Sequence, residues 1–277
     1  MAPTLLSLGH GYSAQALAAR LLPEGWRIIG TTRDAGKAAR MEADGVEARL
    51  DPHDLSREIA AATHILASAA PGAAGDPFLA RHDFSRSPAL WVGYLSTTGV
   101  YGDHGGDWVD EETALTPTTS RGQYRVAAEA AWTATGLPVH IFRLAGIYGP
   151  GRGPFAKVRA GTARRIVKPG QVFSRIHVAD IAQVLAASIA RPRPGAVYNV
   201  CDDDPAPPED VIAHAAELLG LPVPPAEDFA TAEMTPMARS FYGESKRVRN
   251  TLLHAELGVT LLYPSYRDGL AALLATD

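Results

Sequence analysis

The segment Gly9-His10-Gly11-Tyr12-Ser13-Ala14 constrains this chain more than any other. It follows a short apolar run, Thr4–Leu8, and precedes a helical pattern over 13–22 that Pro23 and Gly25 end. Two glycines between a buried strand and a helix make a tight turn whose residues tolerate positive φ. With no side chain in the way, the backbone can approach a pyrophosphate, and the helix start adds oriented N–H groups and partial positive charge. Ala14 takes the place of a third glycine, where helix and strand pack closely. A glycine pair also marks any tight turn. The strand–turn–helix setting is what points to dinucleotide binding by Gly9, His10, Gly11, Tyr12, Ser13 and Ala14.

The alternation continues through two thirds of the chain. Apolar runs at 27–31, 46–50, 64–68, 90–95, Val139–Leu144 and Val197–Val200 alternate with helical patterns at 37–43, 55–62, 122–135 and Val178–Ala190. Strands that alternate with helices predict an α/β, Rossmann-type doubly wound parallel sheet covered on both faces. The last third differs. Residues 202–208 hold three Asp and three Pro and read as a loop. A helix is expected over 208–219, irregular chain over 221–236, and short helices over 246–257 and 266–274. The expected division is a dinucleotide-binding core of 1–150 and 177–201, with a smaller discontinuous substrate lobe of 151–176 and 202–277.

Composition narrows the function classes. Of 277 residues, 46% are hydrophobic, too many for a disordered chain. A formal charge of −4 argues against a nucleic-acid partner. The single cysteine, Cys201, excludes a disulfide framework and fits a cytoplasmic location. No apolar run approaches the roughly 18–20 residues of a membrane span. The acidic loop 103–112 lacks metal-ligand spacing, so no metal is expected.

The second strand ends in Gly30-Thr31-Thr32-Arg33-Asp34. An NAD site usually places Asp or Glu about 20 residues past the glycines, where it accepts from the ribose hydroxyl. Here Arg33 lies 22 residues after Gly11. A guanidinium there suits a 2′-phosphate, so NADP is expected ahead of NAD, with Thr31, Thr32 and Lys37 assisting. The alternative leaves Arg33 in solvent and gives the ribose to Asp34.

Further motifs carry a family resemblance. Leu95-Ser96-Thr97-Thr98-Gly99-Val100-Tyr101-Gly102 resembles an SSxxVYG strand end, and Ile147-Tyr148-Gly149-Pro150-Gly151 a VYGPG segment. Ile176-His177-Val178-Ala179-Asp180 is similar to an IHVxD turn, and Val197-Tyr198-Asn199-Val200 to a late YNV strand. In this order the chain resembles the extended short-chain dehydrogenase/reductases, the NAD-dependent epimerase/dehydratase group. The resemblance implies that Asp51 contacts adenine, that Ala67, Ser68 and Ala69 line the cofactor, and that the Thr97 hydroxyl meets the substrate. Such proteins often pair through helices; here a monomer or a homodimer is expected.

One departure matters. The family's YxxxK pair belongs on the helix that reads Arg121-Gly122-Gln123-Tyr124-Arg125-Val126-Ala127-Ala128-Glu129. Anchored on Glu129, the Lys place holds Arg125 and the Tyr place Arg121; anchored on Tyr124, the Lys place holds Ala128. Neither register keeps the pair. An alcohol's proton needs a base, and a guanidinium with a pKa above about 12 cannot be one. Arg125 keeps the role of holding the nicotinamide ribose. Tyr124, one turn from Arg121, is the substitute acid/base, its phenolate favoured by two flanking cations. Arg121 and Arg125 share a helix face, where a bound anion would relieve their repulsion, although a solvated arginine face is the ordinary alternative. Tyr101, Arg175 and His177 are candidate substrate contacts, with a structural His177 as the plain alternative. The expected function is an NADP-dependent oxidoreductase or epimerase on a small anionic hydroxyl or carbonyl substrate. The alternative is a non-catalytic NAD(P)-binding sensor.

Overall fold

The computed structural model describes residues 2–276. The amino-terminal half runs β1 (Thr4–Leu8), α1 (Tyr12–Leu21), β2 (Arg27–Thr32), α2 (Ala35–Ala43), β3 (Glu47–Leu50), α3 (Ser56–Ala61), β4 (His64–Ala67), β5 (Trp91–Thr97), β6 (Trp108–Val109) and α4 (Ser120–Thr133). It continues through β7 (Val139–Leu144), β8 (Gly146–Tyr148), α5 (Phe155–Arg159), β9 (Arg165–Val167), β10 (Arg175–His177), α6 (Val178–Ala190) and β11 (Val197–Val200). The last stretch holds α7 (Pro208–Leu218), β12 (Ala226–Asp228), α8 (Pro236–Phe241), β13 (Arg247–Val248), α9 (Thr251–Ala255) and α10 (Tyr266–Thr276).

Seven strands form one sheet in the order β11-β7-β5-β4-β1-β2-β3, every neighbour parallel. Parallel strands buried on both faces read as continuous apolar runs, and all five residues of β1 and all six of β7 are buried. One face is covered by α1 and α6, whose Ala14, Leu17, Leu21, Ile181, Val184 and Leu185 share a core cluster. The other face buries Ile59 of α3 with Ala128 and Trp132 of α4. After β3 the chain crosses back to β4 on the other side of β1. Ligands of such sheets bind at this reversal, beyond the carboxyl ends of the strands.

A smaller cluster of Tyr148, Phe155, Val158, Ala215, Tyr266, Leu270 and Leu273 sits over that edge. Within 202–277, however, Leu253, Leu257, Val259 and Leu261 bury in the sheet's own core rather than in the small one. The helix expected over 246–257 is shorter than that. Its first residues, Arg247 and Val248, pair in parallel with Trp108 and Val109, because a buried β-branched Val248 fits a ladder. The stretch 221–236 is mostly irregular as expected, except where Ala226–Asp228 pairs with Arg165–Val167. No helix among the described residues is long and apolar enough to cross a membrane.

Candidate active-site cleft

The glycine turn is held from beneath. Gly9 adopts φ +78°, and its N–H donates to Thr31 Oγ1 at 2.7 Å. Ser68 Oγ donates to the Gly9 carbonyl at 2.5 Å. A Cβ on Gly9 would lie 3.0 Å from the Ala69 backbone nitrogen. Thr31, Ser68 and Ala69 therefore shape the turn. The His10 ring turns inward, with Nδ1 3.1 Å from Ser7 Oγ, and burial with the nearby Lys37 charge pushes its pKa down to about 4. Gly11 begins α1 with no side chain capping it, so the first helical N–H groups face the cleft. A Cβ on Gly11 would meet only the Gly9 carbonyl, at 3.6 Å. This open, donor-lined cradle fits a pyrophosphate.

At the end of β2, Thr32 Oγ1 accepts from the Asp34 N–H at 3.2 Å, and Asp34 in turn caps α2 by accepting from the Lys37 N–H at 2.7 Å. Arg33 is exposed, and its side chain has no partner among the described residues. Asp51 pairs with Arg81 at 2.9 Å. Ala67 is buried in the strand rather than set on the cleft wall.

From the turn a cavity of about 950 Å³, at the upper end for ligand sites, runs under the small cluster. Gly11 to Ala14, Ser68, Thr97, Arg121, Arg125 and Arg175 line it. Thr97 Oγ1 accepts from the Gly99 N–H at 3.2 Å, fixing the turn that follows β5. On α4, Arg121, Gly122 and Arg125 face the cavity. A Cβ on Gly122 would come within 2.8 Å of the Gly99 carbonyl, so only glycine lets helix and turn approach. The Arg125 guanidinium donates to Leu95 O at 2.6 Å, Tyr94 Oη at 3.1 Å and Ala69 O at 3.4 Å, which fixes it across the ends of β4 and β5. Arg175 Nη1 donates to Phe173 O and Ala206 O, each at 2.9 Å, and burial lowers its pKa although Asp202 lies near.

Three predicted residues lie elsewhere. Tyr124 is absent from the cavity wall, since its face of α4 diverges from the one carrying Arg121 and Arg125. Tyr101 is fully buried behind the site; its hydroxyl donates to Asn199 Oδ1 at 2.7 Å and accepts from Arg143 at 2.9 Å. His177 caps α6, its Nδ1 accepting from the Ala179 N–H at 3.2 Å, and burial pushes its pKa down to about 4. It packs on Tyr148 and Tyr263 and does not line the cavity.

The sequence reading missed the far wall: Tyr148, Phe241, Glu244, Lys246 and Tyr266. Arg152 also lines the cavity, its guanidinium 5.8 Å over the Tyr12 ring. These residues come from distant segments with no shared spacing. The one usable signal was scarcity, since the chain has four lysines against 22 arginines.

A doubly wound parallel sheet with a glycine turn at its reversal and a cleft beyond it defines a Rossmann-type α/β protein. A UDP-glucuronic acid 4-epimerase from Bacillus cereus, solved with NAD, superposes with a TM-score of 0.79 over 98% of this chain and 96% of its own, at 16% identity. A conserved protein of unknown function from Silicibacter pomeroyi is similar at 61% identity and a TM-score of 0.94, over 99% of both chains. No family model matches the chain. The chain belongs to the family of protein YeeZ from Escherichia coli K12, with 30% identity over 283 aligned positions, 93% of this chain and 95% of that protein.

Proposed function

We propose that this protein is an NADP-dependent oxidoreductase or epimerase acting on a small anionic molecule with a hydroxyl or carbonyl group. One observation carries the reading: the glycine turn at the start of α1 opens into the same cavity as Arg121, Arg152 and Arg175. The N–H groups at the start of α1 would hold the pyrophosphate. Arg33 and Lys37 would hold the 2′-phosphate, and Thr31 and Thr32 keep their backbone in place. Arg125 would keep the nicotinamide ribose against the ends of β4 and β5. The cofactor, once bound, supplies or accepts a hydride.

The chain's own part is recognition and polarisation. The guanidiniums of Arg121, Arg152 and Arg175 would bind a carboxylate or phosphate. Thr97 would hydrogen-bond the reacting oxygen. Arg121, always protonated, would stabilise negative charge on that oxygen without moving a proton.

A second reading, a non-catalytic NADP-binding sensor, draws on the cavity wall, to which α4 contributes no tyrosine. Calorimetric titration with NADPH and with NADH tests the cofactor assignment. At least about tenfold tighter NADPH is expected, as one charge-assisted contact supplies. Equal affinities remove the Arg33 assignment; binding of neither removes the enzyme and sensor readings together. NADPH oxidation across a panel of small oxo acids and sugar phosphates then separates enzyme from sensor.

A further inference from the structure

We propose that Lys246 is the group that gives a proton to, and takes it from, the reacting oxygen of the substrate, an assignment that rests on the oxidoreductase reading above. Lys246 lies just before β13, and its side chain is 9% exposed, at the cavity wall shared with Thr97 and Arg121. Its Nζ donates to Gly102 O at 2.5 Å and to Glu244 Oε2 at 2.9 Å. Gly102 ends the tight turn of residues 98–101 that follows Thr97, so the ammonium is anchored at the base of that turn. An ammonium has three N–H donors. Two are taken within the protein, which leaves one for an oxygen in the cavity.

The short segment 244–246 is fixed from several sides. Thr118 Oγ1 donates to the other Glu244 oxygen at 2.6 Å, and Gln171 Nε2 to the Glu244 carbonyl at 2.6 Å. The Ser245 N–H donates to Asp103 Oδ1 at 2.7 Å, and its hydroxyl to Gly170 O at 3.0 Å. A side chain held this firmly at a cavity is preorganised for a task.

The other cations at the cavity, Arg121, Arg125, Arg152 and Arg175, cannot release a proton. The tyrosines there are engaged or buried. Tyr12 donates to Pro150 O at 2.9 Å, Tyr148 to Ser265 O at 3.3 Å, and Tyr266 sits in the small core with its pKa raised by burial. An ammonium, like a phenol, can give a proton to a reacting oxygen and take it back, so a lysine can do the work of a tyrosine acid/base. In reduction, one hydrogen with its electron pair passes from the reduced nicotinamide to the carbonyl carbon. Lys246 Nζ gives its proton to the carbonyl oxygen, which becomes a hydroxyl. Nζ is left as a neutral amine and regains a proton from water through Glu244. Oxidation runs these transfers backwards.

The test uses glyoxylate with cyanoborohydride, which alkylates a neutral lysine amine, followed by peptide mass mapping. Lys246 is expected to react about fivefold faster than the more exposed Lys37, Lys157 and Lys168, because the cavity's guanidiniums bring the carboxylate beside it. Oxalate should slow Lys246 alone. A Lys246 slower than the other three, or a uniform effect of oxalate, overturns the assignment and leaves only a staple between segments. NADPH calorimetry keeps the failures apart. Wild type that binds NADPH but has an unreactive Lys246 removes this assignment only; wild type that binds none removes the oxidoreductase reading and this assignment with it. Lys246→Arg keeps the charge and retains N–H donors for Gly102 O and Glu244. It should bind NADPH as wild type does and lose at least about 100-fold in kcat on any panel carbonyl that wild type reduces, the usual scale for a missing acid.

Discussion

Arg143 and Glu129 meet as a two-pronged ion pair inside the protein, Nη2 to Oε2 at 2.9 Å and Nε to Oε1 at 3.3 Å, with each side chain 6% exposed. The pair ties β7 to the cavity-facing side of α4. Ser96 Oγ donates to Glu129 at 2.5 Å, and Arg143 reaches the Tyr101 hydroxyl. Removing one partner leaves an uncompensated buried charge, which typically costs about 3–5 kcal/mol. Glu129→Ala should therefore lower the melting temperature by about 10 °C on the scale of large domains. Glu129→Leu with Arg143→Met should recover more than half of that. Scanning calorimetry of both variants decides it, and equal losses in the single and double variants would show that the charge pair is not the cause.

Arg33 stands alone at the end of β2, where Asp34 is occupied with the first turn of α2. Arg33→Ala should weaken NADPH binding by about 10–100-fold, the worth of a charge-assisted contact, while NADH changes less than about threefold. Parallel loss of both cofactors would mean that Arg33 supports the fold of the turn instead.

Much of the sheet was legible because its signals are local. β1, β7, α6 and β11 have the bounds that the apolar runs and stop signals mark. Gly9 was legible because a positive-φ turn against Ala69 leaves no alternative residue. Tyr124 and Tyr101 misled for one reason: proximity in sequence to a motif does not give the side chain's direction. A 100° step around α4 separates Tyr124 from Arg125. The Tyr101 hydroxyl points to Asn199, a residue 98 positions on. Lys246 and Glu244 were hidden because only tertiary contacts to Gly102 and Thr118 bring them to the site.

Tyr124 supplies a direct check of that geometry. With its ring off the cavity, Tyr124→Phe should leave NADPH affinity and any turnover within about twofold, as for surface changes. Arg121→Ala, on the lining face, should raise KM for an anionic substrate by about tenfold and lower kcat as well, since the guanidinium would both bind the anion and stabilise charge on the reacting oxygen. A loss of turnover in the phenylalanine variant would return the phenol to the chemistry and count against Lys246.

Asp202, 1% exposed, sets an alkaline slope on stability. Burial pushes its pKa up to about 8 from the ordinary carboxylate value of 3.8, and the nearby Arg175 only partly offsets this. Between those values the folded state holds a proton that the unfolded state has released. Stability therefore falls as pH rises through that window, by up to about 1.4 kcal/mol per pH unit, and levels off above it. Asn matches the protonated acid in shape and does not titrate. The melting temperature of Asp202→Asn minus that of wild type should grow steadily from pH 5 to pH 8 by several degrees. The histidines His10 and His177, both depressed to about 4, act in the opposite sense, removing stability as pH falls below about 6.5 in either protein. They cancel in the difference, so a gap that stays flat with pH would mean that Asp202 is ionised in the folded protein, paired with Arg175 rather than neutral beside it.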